Sequence, residues 1–304
     1  MKQHLNPGET ELTTEARDER HSQIGEMNVS QLVDLMNRGD QDVPLAVAKA
    51  GAKISAAIEA ISLRFNSGGR LVYAGAGTSG RIATLDASEI YPTFGVSNRV
   101  VALMAGGQDA LVNPAEGAED DYEAGYEAAK KLGLGPNDSM VGVASSGSTP
   151  YVLGAMDAAK GADALVVSLS CNEGSPMSSK SDISIEVIVG PEFLTGSTRL
   201  KAGSAQKMVL NMISTITMMK AGKTFGNLMV DVVASNQKLR KRATKIVCTI
   251  ESCSQSEAHD ALEQNDWNVK QAVVAHRFSL DAQAAKALLA KHQGYLASAL
   301  GEVQ

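Results

Sequence analysis

Along this chain the hydrophobic positions fall into two kinds of block. Short runs of strand formers, Leu71-Val72-Tyr73-Ala74, Val100 to Ala105, Ser139 to Ala144, Ala164 to Leu169 and Ile183 to Ile188, are mostly separated by stretches whose apolar residues recur at helical spacing. Strands alternating with helices predict right-handed crossovers and an α/β fold, a mainly parallel five-stranded sheet flanked by helices. In such folds ligands bind outside the carboxyl ends of the strands. Ahead of the first strand, residues 1 to about 27 mix charged and polar positions without a hydrophobic period. They read as an extended arm that gains order only by docking elsewhere. Ser30 is placed to cap a short helix carrying Leu32, Val33, Leu35 and Met36, and Pro44 to begin a longer one that Gly68-Gly69 stops. Beyond the last strand a long helix carries Met208, Leu210, Met212, Ile213 and Ile216, with the methionines as core filler. A helix from about Ser235 to Ile250, three short helices and a fourth near the end complete the pattern, giving a small C-terminal helical bundle.

The chemistry sits where strands turn into helices. After the first strand, Gly75-Ala76-Gly77-Thr78-Ser79-Gly80 brings backbone N–H groups and the positive end of a helix dipole to one spot, which holds an anion. The spacing Gly75-x-Gly77-x-x-Gly80 matches the dinucleotide fingerprint, which also requires an acidic residue about 20 positions later for a ribose hydroxyl. Asn98 to Ala105 contains no Asp or Glu, so the dinucleotide reading weakens. Thr78 and Ser79 add hydroxyls suited to the terminal oxygens of a phosphate monoester; a tight turn without a ligand is the plainer alternative. Ser145-Ser146-Gly147-Ser148-Thr149-Pro150 forms a second hydroxyl-rich turn after the third strand, where ordinary helix capping is the plainer alternative.

A net charge of −6 argues against a nucleic-acid partner, and the only basic run, Lys238 to Lys245, is short. The amino terminus lacks the apolar stretch of a signal peptide, and no run reaches the ~18 apolar residues of a membrane span. The expectation is a cytoplasmic protein without a membrane partner. Three cysteines, Cys171, Cys248 and Cys253, lack metal-like pairing with histidine, so free thiols, no metal site and no cofactor are expected. His4, His21, His259, His276 and His292 lie outside the sheet motifs, and no histidine mechanism is offered.

At GAGTSGRIATLDASE, EGAED, SSGSTPYV, TGSTRLKAGSAQK and FGNLMVDVV the chain resembles the N-acetylmuramic acid 6-phosphate etherases, over Gly75 to Val233. The resemblance implies a sugar isomerase (SIS) domain, a homodimer, and cleavage of the lactyl ether to N-acetylglucosamine 6-phosphate and D-lactate in peptidoglycan recycling. It implies a division into an amino-terminal arm and helices (1–59), the SIS sugar-phosphate domain (60–223) and a C-terminal helical region (224–304). The last stretch, from about 250, resembles in shape a ubiquitin-associated-like three-helix bundle. By motif, the proton donor to the departing lactate falls on Glu89 in DASE, and the base at C2 on Glu119 in EGAED. Physical reasoning alone leaves Glu116, Asp120 and Asp121 beside Glu119, since acidic residues are favoured at any helix start. Thr78, Ser79, Ser145, Ser146, Ser148 and Thr149 are the candidates for the phosphate and sugar hydroxyls, with Ser197 and Lys201 closing over the substrate. Related folds also serve sugar-phosphate isomerases and regulators that bind a sugar phosphate without turnover, and these remain the alternatives.

Two expectations concern Glu89. Its neighbours Leu85, Ala87 and Ile90 predict partial burial. Along one continuous helix, Thr78 and Glu89 stand ~16 Å apart, farther than a hexose phosphate reaches. Either that helix bends before Pro92, or the glutamate meeting a given phosphate's sugar comes from a second subunit in a site shared across the dimer.

Overall fold

The computed structural model describes residues 12–115 and 117–301. The chain divides into two compact units, residues up to Ala87 with Arg99–Ser214 in one, and Ser88–Asn98 with the chain from Thr215 onward in the other.

The first unit contains the sheet. Strands β1 (Leu71–Gly75), β2 (Val100–Met104), β3 (Ser139–Val143), β4 (Leu165–Ser170) and β5 (Ile183–Glu186) pair in parallel in the order β2-β1-β3-β4-β5. The expected five-stranded parallel sheet is therefore present, and each strand falls on one of the five hydrophobic runs. Every residue of β1, β3 and β4 is buried, whereas the edges β2 and β5 are only partly covered. Burial on both faces is why the central runs are continuously apolar instead of alternating. The order reverses between β1 and β3, which opens a crevice at their carboxyl ends. Gly75 is in register with Val143, so the turns after β1 and β3 leave the sheet at the same level.

Helices α1 (Val29–Asp40), α2 (Asp42–Lys49) and α3 (Gly51–Asn66) precede the sheet. The cap of α1 is Asn28, not Ser30: its side chain accepts from the Gln31 N–H while the Gln31 side chain accepts from the Asn28 N–H. That reciprocal pair satisfies two free donors at once, which a serine two positions later does not. Pro44 does not open α2, which starts at Asp42; it lies in the first turn, where the missing N–H costs nothing. Next, α4 (Gly77–Phe94) leaves β1 and α5 (Tyr122–Lys131) lies between β2 and β3. Then α6 (Pro150–Gly161) follows β3, α7 (Pro176–Lys180) follows β4, and α8 (Lys201–Lys220) comes after β5.

Alternation along β1 sends Val72 and Ala74 into a core with Met140, Val152, Ala155, Met156 and Val166. Tyr73, between them, donates its hydroxyl to Asp86 Oδ2 at 2.9 Å. Asp86 Oδ1 accepts from Asn211 Nδ2 at 2.6 Å and Ser214 Oγ at 3.0 Å. A buried carboxylate thus ties α4 to β1 and α8, and its burial pushes its pKa up despite these three donors.

In the second unit, α9 (Gln237–Glu251), α10 (Gln255–Gln264), α11 (Val269–Phe278), α12 (Ala282–Lys291) and α13 (Leu296–Leu300) enclose Val247, Leu262, Val273, Leu289 and Leu296. This is the helical bundle the tail predicts. Buried Lys270 holds its ends together, donating to the Gly222 and Gly294 carbonyls at 2.8 Å and to Asp231 at 2.6 Å. Among the described residues no helix is long and apolar enough to cross a membrane.

Candidate active site

The turn after β1 is shaped by close packing. A Cβ on Gly75 would lie 2.7 Å from the Gly80 nitrogen, and one on Gly80 would lie 2.6 Å from the Gly75 carbonyl oxygen and 2.3 Å from Met104 Sδ. Any larger residue at either position would push the first turn of α4 off the end of β1. The glycines thus have a steric reason that needs no dinucleotide. Their effect is to seat the amino end of α4 directly over the crevice.

A cavity of about 230 Å³ opens beside this turn, lined by Ala76, Gly77, Arg81, Met104, Ala105, Ala110, Pro114, Ala115, Gly117, Ala118 and Glu119. It brings together the β1 turn and Glu119, which stands exposed on a single 3-10 turn, Ala118–Asp120. Arg81 places that segment. Its Nε donates to the Leu111 carbonyl at 3.0 Å and its Nη2 to the Asn113 carbonyl at 3.3 Å. Sequence reasoning passed over Arg81. No local signal marked it, since its partners, the Leu111 and Asn113 carbonyls, lie 30 and 32 positions away. Asp121 has a plain structural task, capping α5 by accepting from the Ala124 N–H at 2.9 Å. Glu116 lies outside the described residues.

The turn after β3 is held by its first residue. The Ser145 carbonyl accepts from the Cys171 N–H at 3.0 Å and from Asn172 Nδ2 at 2.8 Å, and Ser145 Oγ accepts from Gln206 Nε2 at 3.1 Å. Ser146 Oγ accepts from both the Ser148 N–H and the Ser148 hydroxyl. Gly147 has φ +71° and passes so near Ser175 that a Cβ would lie 2.3 Å from its Oγ. Thr149 occupies the N-cap position of α6, yet its hydroxyl makes no capping bond. The capping alternative therefore does not account for this hydroxyl.

The start of α8 forms a wall shared by both turns. Gly203 approaches Thr78, whose Cγ2 would lie 3.4 Å from a Cβ placed there, while Gln206 reaches Ser145. Buried Glu192, which the sequence did not single out, caps α8 by accepting from the Lys201 and Ala202 N–H groups, both at 2.9 Å. The Lys201 ammonium donates to the Val189 carbonyl at 2.7 Å. Lys201 lines a separate cavity with Asp18, Arg20, Met36 and Phe193, away from the one that Gly77 and Glu119 line. Ser197 is half-buried and Ser79 buried.

Glu89 is different. It does not line the Gly77–Glu119 cavity, and in this chain it is exposed, with Leu85 one turn earlier 53% exposed. The partial burial expected for it is not found among the described residues. The helix itself is assigned as one span from Gly77 to Phe94, with Pro92 inside it.

Residues 53–160 match the family model for the glucokinase regulatory protein N-terminal SIS domain, and residues 120–216 match that for the SIS domain. The N-acetylmuramic acid 6-phosphate etherase of Aliivibrio fischeri is 48% identical over 96% of this chain and 98% of its own length. The etherase of Rubrobacter xylanophilus is 50% identical over 96% of this chain and 97% of its own. That of Clostridium beijerinckii is 47% identical, covering 96% of each chain. Identity of this degree along nearly the whole of both chains reaches well beyond the SIS domain, and the chain belongs to the N-acetylmuramic acid 6-phosphate etherase family.

Proposed function

We propose that this protein cleaves the lactyl ether of N-acetylmuramic acid 6-phosphate, giving N-acetylglucosamine 6-phosphate and D-lactate, as a cytoplasmic homodimer working in peptidoglycan recycling. Near-full-length identity with the etherases carries the reading. In the open-chain sugar the C2 proton lies next to an aldehyde and is acidic enough for a carboxylate to remove. As the C2 enolate re-forms its carbonyl, the C3–O bond breaks and the departing lactate oxygen takes a proton from a general acid. Water then adds to C3 of the unsaturated aldehyde and C2 is reprotonated, so one water enters and one lactate leaves.

Glu119 is assigned as the base at C2, supported by its place on a cavity shared with the amino end of α4. Thr78, Ser79, Ser145, Ser146, Ser148 and Thr149 are assigned to the phosphate and sugar hydroxyls at the paired carboxyl ends of β1 and β3. Ser197 is assigned to closure over the substrate; Lys201, expected to share that task, is buried with its ammonium on the Val189 carbonyl and is assigned instead to holding the start of α8. Glu89 is assigned as the acid that protonates lactate, reaching the pocket of the other subunit. That placement is supported by the unbroken α4 and by the exposure of Glu89 and Leu85. Covered by a partner, Glu89 would stand in a site closed to water, where a positioned carboxyl can hand its proton to the departing oxygen.

Incubating the purified protein, stripped with EDTA, with N-acetylmuramic acid 6-phosphate and measuring D-lactate tests the reading. Stoichiometric lactate with N-acetylglucosamine 6-phosphate is expected. A ketose phosphate without lactate would make the protein an isomerase, and tight binding without turnover would make it a sensor.

A further inference from the structure

The amino-terminal arm docks on the rim of this site. Among the described residues, Thr13 Oγ1 donates to Asn172 Oδ1 at 2.8 Å, and the Thr14 N–H reaches the same oxygen at 3.4 Å. Asn172 Nδ2 donates to Thr14 Oγ1 at 3.0 Å and to the Ser145 carbonyl at 2.8 Å. The whole amide of Asn172 is thereby used, one part by the arm and the other by the first residue of the turn after β3. Thr14 is 1% and Asn172 2% exposed, so neither has water to fall back on. Farther along the arm, Glu15 sits against the loop after β5, with Oε2 2.7 Å from where a Cβ on Gly196 would stand. The arm thus touches the loops that follow β4 and β5, and through Asn172 it reaches the Ser145 turn.

Resting on the reading of this site as the sugar-phosphate pocket, we propose that the arm is a positioning element of that pocket. Thr13 and Thr14 grip Asn172, Asn172 fixes the Ser145–Thr149 turn, and the grip sets substrate affinity. The Ser145 carbonyl, held by Asn172 and Cys171, fixes the direction in which the chain leaves β3, and the hydroxyls of Ser146, Ser148 and Thr149 follow from that direction. Without the arm, the Asn172 amide keeps only its bond to Ser145, and buried polar groups left unpaired are costly. The amide must then turn toward water, and the Ser145 turn loses its support. Thr13, Thr14 and Asn172 touch none of the groups assigned to the chemistry. Their loss weakens binding and leaves the bond-breaking steps intact.

The test uses the full chain with Thr13→Val and Thr14→Val together, which keep the branched shapes and remove both hydroxyls. The expected result is a KM for N-acetylmuramic acid 6-phosphate raised about tenfold or more, with kcat within about twofold of wild type. Thr13→Ser with Thr14→Ser, which keeps the hydroxyls, should return KM close to wild type. A variant that loses kcat in proportion to its folded fraction at unchanged KM would overturn the proposal, because that is the signature of a purely structural contact. Calorimetric binding of N-acetylglucosamine 6-phosphate supplies a readout without turnover. Equal affinity in wild type and the double valine variant would also overturn it. If wild type binds that ligand yet releases no lactate, the etherase reading fails while the calorimetric comparison still decides the role of the arm.

Discussion

Glu119 and Glu89, the two carboxylates assigned to the reaction, occupy unlike surroundings. Glu119 stands on the rim of a cavity that its own chain builds from the β1 turn and Arg81. Glu89 stands far along α4, exposed, four residues from an exposed Leu85 on the same side of the helix. One chain therefore sets the carboxylate assigned as base on a cavity beside the β1 turn, and leaves the one assigned as acid exposed. Burial, which tunes an acid, need not be supplied by the chain that carries it.

The sharpest way to break this contrast is to remove each carboxylate in turn. Glu89→Gln should reduce D-lactate release by about 10²- to 10⁴-fold, as for loss of a general acid, while exchange of the C2 proton with deuterated water continues. Glu119→Gln should suppress exchange and cleavage together. Proton NMR of the sugar in deuterated buffer follows both events in one sample. Surviving exchange in Glu119→Gln would move the base elsewhere, with Glu116 the next residue to substitute.

How much of this was legible in the sequence depends on the range of the forces involved. The sheet was legible because strands buried on both faces must be apolar throughout, and five such runs stand in the chain. The hydroxyl-rich stretches were legible as turns because glycine, serine and threonine gather where a strand gives way to a helix. The cap of α1 was misplaced at Ser30 because both Asn28 and Ser30 are good caps, and only the reciprocal bond with Gln31 separates them. Arg81, Glu192, Asn172 and Gln206 were not legible as a group. Each acts on a residue distant in sequence, as Asn172 does on Thr14 and Ser145, and local spacing carries no trace of such a pairing. Glu89 was expected to be partly buried because its neighbours are apolar. Composition reports that a surface wants cover without saying whether the same chain provides it.

A second prediction addresses that cover directly. An inactive Glu89→Gln protein is mixed with an inactive protein carrying Ser79→Ala and Ser146→Ala, under conditions that exchange subunits. If Glu89 serves the partner's pocket, each mixed dimer has one pocket with both defects and one with neither. Random exchange makes about half of the dimers mixed, so about a quarter of wild-type activity should return. No recovery in dimers verified as mixed by mass spectrometry would place Glu89 in the pocket of its own chain, and the contrast with Glu119 would then be lost.

The smallest expected effect comes from Asp86, the buried carboxylate three residues before Glu89 on α4. Burial pushes its pKa above the ordinary 3.8, against the pull of Asn211, Tyr73 and Ser214. The folded state therefore holds this proton more tightly than the unfolded chain does. The resulting contribution to stability is fully present below the unfolded value and is lost as pH rises through the folded value. Asparagine mimics the neutral acid in shape, and its carbonyl can still accept from Asn211 and Ser214. In urea titrations from pH 4 to 7, the stability of wild type minus that of Asp86→Asn should fall as pH rises, while kcat changes less than about fivefold. A difference that grows with pH would mean that the folded state favours the ionised Asp86 carboxylate. A loss of kcat as large as that of Glu89→Gln, with C2 exchange intact, would make Asp86 the source of the proton for lactate and leave Glu89 a surface residue.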